Sequence, residues 1–206
     1  MTKLQLENGP PVILASQSAA RRKMLEDAGV HVETFPARVD EDEIKLAMRA
    51  EGASVEDAAV KLAEAKARRI AEKFPGAIVI GCDQMLDCNG VWFDKPVDRA
   101  HAAAHLRAFS GKTHRLVSAA VAYRNMARVW HHVDSAKLSV RILTDEFIAT
   151  YLDAAGDAAL ASVGVYQLEG LGAQLFTRVD GDYFTVLGMP LLPLLGFLRA
   201  NGALVP

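Results

Sequence analysis

The stretch 77-AIVIGCDQMLDCNGVWFDKPVD-98 decides the fold. Ala77 to Gly81 is an unbroken apolar run of strand length, as expected of a strand buried on both faces. The run ends on Asp83, crosses a polar turn and returns through Asp94-Lys95-Pro96. A carboxylate at the exposed tip of a buried strand, faced by a lysine, suits a metal and a phosphate, although many α/β folds show the same pattern without chemistry.

Working outward, Val12 to Ala15 reads as another buried strand, followed by a helix from about Ala19 to Ala28 that Gly29 ends. His31 to Phe35 reads as a strand, 36-PARVDEDE-43 as an acidic loop, and Val55 to about Lys73 as a long helix with Ala58, Leu62 and Ala65 on one face. Asp98 is expected to cap a helix reaching Phe109, and Thr144 another reaching Ala155. Between them, Leu116 to Tyr123 and Val129 to Leu143 alternate as paired strands. The Gly-rich 156–175 segment reads as a loop that passes close to something. Asp180-Gly181 is a hairpin signal between strands at Leu175 to Val179 and Tyr183 to Val186, and Pro190 opens a final helix through Arg199. Strands interleaved with helices predict an α/β protein, and the long antiparallel pair predicts a mixed sheet. Residues 1–10 read as a frayed, disordered lead-in and 11–206 as a single domain.

With 206 residues, 51% of them hydrophobic, the chain can bury a substantial core. A net charge of -2 argues against a protein that works by bulk attraction to nucleic acid or anionic membrane, so an anionic ligand needs a local cluster of donors. The only cysteines, Cys82 and Cys88, have no second pair to complete a zinc site, and no window reaches the length of a membrane span. A reduced, cytoplasmic protein with neither nucleic-acid nor membrane partner is expected.

The clearest anion-binding candidate is 14-LASQSAARR-22, where a buried strand delivers Ser16, Ser18 and Arg21 to a helix N-terminus. Capping serines followed by surface arginines are the commoner arrangement. Taken alone, Glu41 reads as a solvated loop acid and Lys66, set among alanines, leans towards a surface charge. Two carboxylates such as Glu41 and Asp83 from separate loops would nonetheless suit a shared Mg²⁺, and Lys95 a phosphate. Other motifs fail. The run 110-SGKTH-114 lacks the first glycine of a P-loop, and 101-HAAAH-105 lacks the glutamate of a metalloprotease. The glycines of 170-GLGAQL-175 lack dinucleotide-binding context, and there is no nucleophile elbow.

The pieces are more telling in order. LAS-x-S followed by arginines, Val-Asp-Glu, LAEAKA, IGCDQ, DKP, SGKTH, EGLG and VLGMPL together resemble the Maf family of nucleoside triphosphate pyrophosphatases, from about Val12 to Arg199. The resemblance implies a mixed, twisted α/β sheet in two lobes around a central cleft, like that of inosine triphosphatases, in an enzyme that is often a homodimer. It implies hydrolysis of a nucleoside triphosphate to monophosphate and pyrophosphate with Mg²⁺ or Mn²⁺, Asp83, Glu41 and Lys95 being catalytic and Glu41 and Asp83 holding the metal. Ser16, Ser18, Arg21 and Lys66 fall on its substrate-binding positions, so the resemblance reverses the surface readings of Glu41 and Lys66. Ala19 and Ala20 replace a proline and an arginine of the usual Ser-Pro-Arg-Arg, and Gly81-Cys82-Asp83-Gln84 replaces Gly-Ala-Asp-Thr. Ala161, Ser162 and Glu169 stand where members acting on dTTP and UTP carry Asp, Lys and Gln. Gln84 and Glu169-Gly170 resemble instead the branch acting on 7-methyl-GTP, where a carboxylate at Glu169 would accept from the guanine N1–H and amino edge and favour a methylated, cationic ring. The resemblance also implies a role in removing modified nucleotides, with an effect on cell division. The alternatives are an inosine triphosphate pyrophosphatase and a non-catalytic nucleotide-binding regulator of septum formation.

Overall fold

The computed structural model describes residues 4–206. A seven-stranded mixed sheet runs in the order β2-β1-β3-β5-β6-β7, with β4 paired to β3. Its strands are β1 (Val12–Leu14), β2 (Glu33–Thr34), β3 (Ile78–Cys88), β4 (Val91–Phe93), β5 (Thr113–Arg124), β6 (Ala127–Val140) and β7 (Phe176–Asp180). The helices are α1 (Ala19–Asp27), α2 (Glu41–Ala50), α3 (Val55–Ala71), α4 (Arg99–Phe109), α5 (Asp145–Ala155), α6 (Asp157–Leu160), α7 (Tyr183–Val186) and α8 (Leu191–Ala200). The expected α/β class with a mixed sheet is therefore observed. By packing the chain divides into two compact units. One comprises residues up to Asp83, Ser118–Asp134 and Gly188–Pro206, and the other Gln84–Val117 and Ser135–Leu187.

In the first unit β1 is flanked by parallel partners on both sides, Ile13 lying beside Glu33 of β2 and Val79 of β3. The apolar run read from the sequence is fully buried from Ile78 to Ile80 because helices cover the parallel strands. Gly81 lets α3 press directly on β3, since a Cβ there would stand 2.1 Å from the Ala63 carbonyl oxygen and 2.7 Å from the Ala67 nitrogen. The turn from β5 to β6 places Asn125 and Met126 at φ 50° and 63°, the doubly left-handed backbone of a tight hairpin turn. Of the lead-in, residues 1–3 lie outside the described residues. Gln5 bridges to Leu204, and the Leu6 N–H donates to the Ala203 carbonyl, so this part is hydrogen-bonded.

The second unit closes around Leu86, Leu106, Phe109, Leu116, Leu138 and Ile148. Phe109 is 1% exposed, and burying a side chain of that size is worth about 1.5–3 kcal/mol. Asp98 and Thr144 cap α4 and α5 by accepting from the N–H groups of His101 and Phe147, as the sequence predicts.

Three expectations are corrected. The acidic 36–43 loop ends early, because Asp40 accepts from the Glu43 N–H and Glu41, Asp42 and Glu43 then sit in the first turn of α2, where acids favour the helix dipole. The Asp180-Gly181 hairpin does not form. Asp182 accepts from the Thr185 N–H at 2.9 Å and caps the short helix α7, replacing the strand expected over Tyr183 to Val186. The Gly-rich segment is also not all loop, since it holds α6 and a 3₁₀ turn over Leu171–Leu175.

Candidate active site

The β1–α1 connection builds the first wall. Leu14 is the last residue of β1, paired to Ile80, and the Ala15 N–H donates to the Ile80 carbonyl at 2.7 Å. Ser16 therefore lies just past the carboxyl end of β1, whereas Asp83, expected at an exposed strand tip, is 5% exposed in the middle of β3, just past Ile80, because β3 runs on to Cys88. Since β2 and β3 lie on opposite sides of β1, the carboxyl end of β1 is the switch point at which α/β sheets bind ligands. Ser16 Oγ accepts from the Ser18 N–H at 3.1 Å, and Ser18 Oγ accepts from the Arg21 N–H at 3.3 Å as the N-cap of α1. The turn is thus held by its own serines.

Arg21 projects from the first turn of α1. Its Nε donates to the Gly188 carbonyl at 2.9 Å and its Nη1 to the Cys82 carbonyl at 3.0 Å. These bonds fix a guanidinium beside Asp83 while leaving further N–H groups of the fork for an anion. Gly188 has φ +103°, and a Cβ there would lie 3.4 Å from Arg21 Nε and Nη2. Sequence reading missed this residue; the glycine of VLGMPL was the available signal.

The second wall is a lysine bracketed by two acids. Lys66 Nζ lies 2.5 Å from Asp83 Oδ1 and 2.8 Å from Glu41 Oε1. Lys66 reaches Asp83 because Gly81 on β3 and the alanines Ala63 and Ala67 on α3 allow helix and strand to touch. The surface reading of Lys66 fails for this reason: it is 8% exposed, with its ammonium turned onto the carboxylates. Glu41, at the first position of α2, keeps a solvent-facing side, and Lys45 Nζ stands 3.9 Å from its other oxygen. Burial pushes the Asp83 carboxyl above its ordinary range and Glu41 pushes the same way, against the pull of Lys66 and Arg21. Burial likewise pushes the neighbouring Cys82 thiol up to about 11, which favours the neutral thiol over the thiolate.

Ser16, Ser18, Arg21, Glu41, Lys66 and Asp83 all belong to the first unit, and Gln84, Lys95 and Glu169 to the second. The Gln84 amide donates to the carbonyls of Thr185 and Val186 at 3.1 and 2.9 Å, holding the last residues of α7. Lys95 is exposed on the loop after β4, and Glu169 is exposed in a turn closed by the Gly170 N–H on the Gln167 carbonyl. The discarded histidine pair is structural: His101 bonds Asp98, and His105 meets the Phe93 ring edge-on at 5.0 Å. Among the described residues no group of three or more His, Cys, Asp or Glu side chains is placed to hold a metal ion. Asp83 and Glu41 do supply two hard oxygen donors converging on one cationic centre, a donor set that fits a divalent cation sharing the site with phosphate. No helix among the described residues is long and apolar enough to cross a membrane.

A serine–arginine turn at a sheet switch point, beside a lysine held by two carboxylates, defines an α/β protein equipped for a polyanionic ligand. Residues 11–201 match the family model described as "Maf-like protein", and the chain belongs to the Maf family. It is 56% identical over 194 residues to a nucleoside triphosphate pyrophosphatase of Paramagnetospirillum magneticum, covering 94% of this chain and 100% of the relative. It is 49% identical over 195 residues to a 7-methyl-GTP pyrophosphatase of Rhizobium etli, covering 95% and 98%. Among solved structures, a nucleoside-triphosphatase (dITP/XTP pyrophosphatase) of Mycobacterium abscessus is 22% identical and covers 63% of this chain and 72% of its own. Its TM-score of 0.35 is too low to carry fold or activity.

Proposed function

We propose that this protein is a nucleoside triphosphate pyrophosphatase, releasing pyrophosphate and leaving the nucleoside monophosphate. The observation that carries the reading is the buried Lys66 ammonium between Asp83 and Glu41, set beside the Arg21 turn at the switch point of the sheet. Names of relatives in the same family support it.

Water adds to a phosphorus of the α–β anhydride, and the bond to the bridging oxygen breaks. Asp83 takes the proton of the attacking water, a role that suits a carboxylate whose affinity for protons burial has raised. Arg21 and Lys66 meet the charge that grows on the phosphoryl oxygens and on the leaving group, Ser16 and Ser18 orient the chain of phosphates, and Lys95 adds a further cation. Mg²⁺ or Mn²⁺ would be held by Asp83 and Glu41, and when bound it neutralises phosphate charge and orients it.

The proposed substrate is 7-methyl-GTP, with Glu169 accepting from the guanine edge and offsetting the positive charge of the methylated ring. The cellular role that follows is removal of modified nucleotides, with an effect on cell division, by a homodimer in the cytoplasm.

The test is pyrophosphate release from 7-methyl-GTP, GTP, dTTP, UTP, CTP and ITP, with and without Mg²⁺, beside Asp83→Asn and Glu169→Gln. Metal-dependent turnover led by 7-methyl-GTP, lost in Asp83→Asn and with its base preference lost in Glu169→Gln, is expected. Turnover led by ITP overturns the substrate assignment. Nucleotide binding without any product makes the protein a regulator and overturns the activity.

A further inference from the structure

The turn carrying Glu169 is built around a buried tyrosine that the proposed chemistry does not use. Tyr166 is 6% exposed, and its hydroxyl lies 2.6 Å from Nε2 of His114, itself 1% exposed at the start of β5. The two rings are 5.7 Å apart, and Phe176 meets the Tyr166 ring edge-on at 4.7 Å. His114 Nδ1 is buried with no hydrogen-bond partner, so the Tyr166 hydroxyl is the polar contact that holds the imidazole. Burial lowers the His114 pKa to about 4, which keeps the ring neutral at physiological pH.

The backbone is wrapped tightly round the same side chain. A Cβ on Gly164 would stand 2.2 Å from the Tyr166 ring, and one on Gly172 would stand 2.7 Å from Tyr166 Cβ and 2.5 Å from the Gln167 carbonyl oxygen. Val165 has φ +65°, a left-handed conformation that a β-branched residue holds only when its surroundings impose it. They do so here: the Tyr151 hydroxyl donates to the Val165 carbonyl at 2.8 Å, and the Val165 N–H donates to the Ser162 carbonyl at 3.1 Å. Glu169 follows three residues after this anchor, and the turn it sits in closes by the Gly170 N–H on the Gln167 carbonyl at 3.2 Å.

We propose that His114 and Tyr166 are positioning residues for base selection, a buried pair that fixes the 164–172 loop and so the place at which Glu169 presents its carboxylate. The proposal rests on Glu169 reading the base, but the anchoring of the loop is measurable without that reading. It also gives a purpose to the histidine of SGKTH, which is no phosphate loop: it touches the loop that reads the base.

The variants are Tyr166→Phe, which removes only the hydroxyl, His114→Leu, which removes its partner, and His114→Gln, whose amide reaches the Nε2 position. Hydrogen–deuterium exchange is followed in the amides of 164–172 and, as control, of β5. Steady-state kinetics are taken for 7-methyl-GTP and GTP, together with Kd by titration in Asp83→Asn backgrounds. Tyr166→Phe and His114→Leu are expected to speed exchange in the loop about tenfold with β5 unchanged. They should lower the preference for 7-methyl-GTP over GTP about fivefold or more through KM and Kd at nearly constant kcat, and His114→Gln should restore both. Unchanged loop exchange in both variants overturns the proposal. So does an intact preference in them when Glu169→Gln abolishes it. If Glu169→Gln leaves the preference intact, the base assignment fails instead, and exchange alone decides whether the pair anchors the loop.

Discussion

Replacing Lys66 by methionine tests whether the site is held together by charge. The side chains of Lys66 and Asp83 are 10% and 7% exposed, so the substitution leaves a carboxylate buried without its counter-ion. Removing one partner of such a pair costs about 3–5 kcal/mol, while the half-exposed Glu41 recovers water and adds about 1 kcal/mol or less. For a chain of this size each kcal/mol moves Tm by about 2–4 °C, so a fall of about 10 °C is expected in calorimetry at pH 7.5. Adding Asp83→Asn removes the stranded charge and should restore most of the loss, giving a coupling of at least about 2 kcal/mol in the double-mutant cycle. The penalty should shrink with acid. Burial already raises the Asp83 pKa, and losing Lys66 raises it further. A folded-state pKa above the unfolded one gives stability that is present at low pH and lost as pH rises through the folded value. A Tm within about 2 °C of the parent, an additive cycle, or a penalty that grows with acid would refute the reasoning.

Further outcomes follow from the same geometry. Gly81→Ala should disrupt both packing and site, because the new Cβ meets the α3 backbone at 2.1 Å; a loss of about 3 kcal/mol or failure to fold is expected by denaturant titration, whereas Gly76→Ala, with nothing within 4 Å, is strained only through its φ of +83°. His114, with its pKa lowered to about 4, takes up a proton less readily folded than unfolded, so stability should fall as pH drops from about 6.5 to about 4, by up to about 3 kcal/mol, and the slope should flatten in His114→Gln. Arg21→Lys keeps the charge but not the fork that grips the Gly188 and Cys82 carbonyls, and should lower kcat/KM at least about tenfold at little change in Tm. Glu41→Gln should weaken the apparent affinity for Mg²⁺ by about tenfold in a titration of pyrophosphate release.

Local rules carried much of the fold. The caps at Ser18, Asp98 and Thr144 and the apolar runs of β1 and β3 were legible because a cap or a buried strand is written within a few neighbouring residues. They failed where competing signals overlapped. Asp180-Gly181 reads as a hairpin until Asp182 takes the Thr185 N–H, and 36–43 reads as loop until Asp40 and Glu43 are seen as the start of a helix.

The candidate site was legible as an ordered set of motifs but not as a geometry. Composition alone left Lys66 a surface charge, since no local pattern says that a lysine among alanines lies against a strand. By itself the sequence determined the α/β class, most of the element boundaries and the Maf resemblance that set Ser16, Arg21, Glu41, Lys66 and Asp83 in one list. Only the tertiary structure decided that Gly81 lets α3 touch β3, that Lys66 therefore pairs with an acid 17 positions away, that Arg21 is gripped by a carbonyl 167 positions away, and that His114 meets the Tyr166 hydroxyl, 52 positions on. These contacts depend on close approach between segments brought together by burial, and neither charge nor periodicity in a short window records which distant backbone will be within 3 Å.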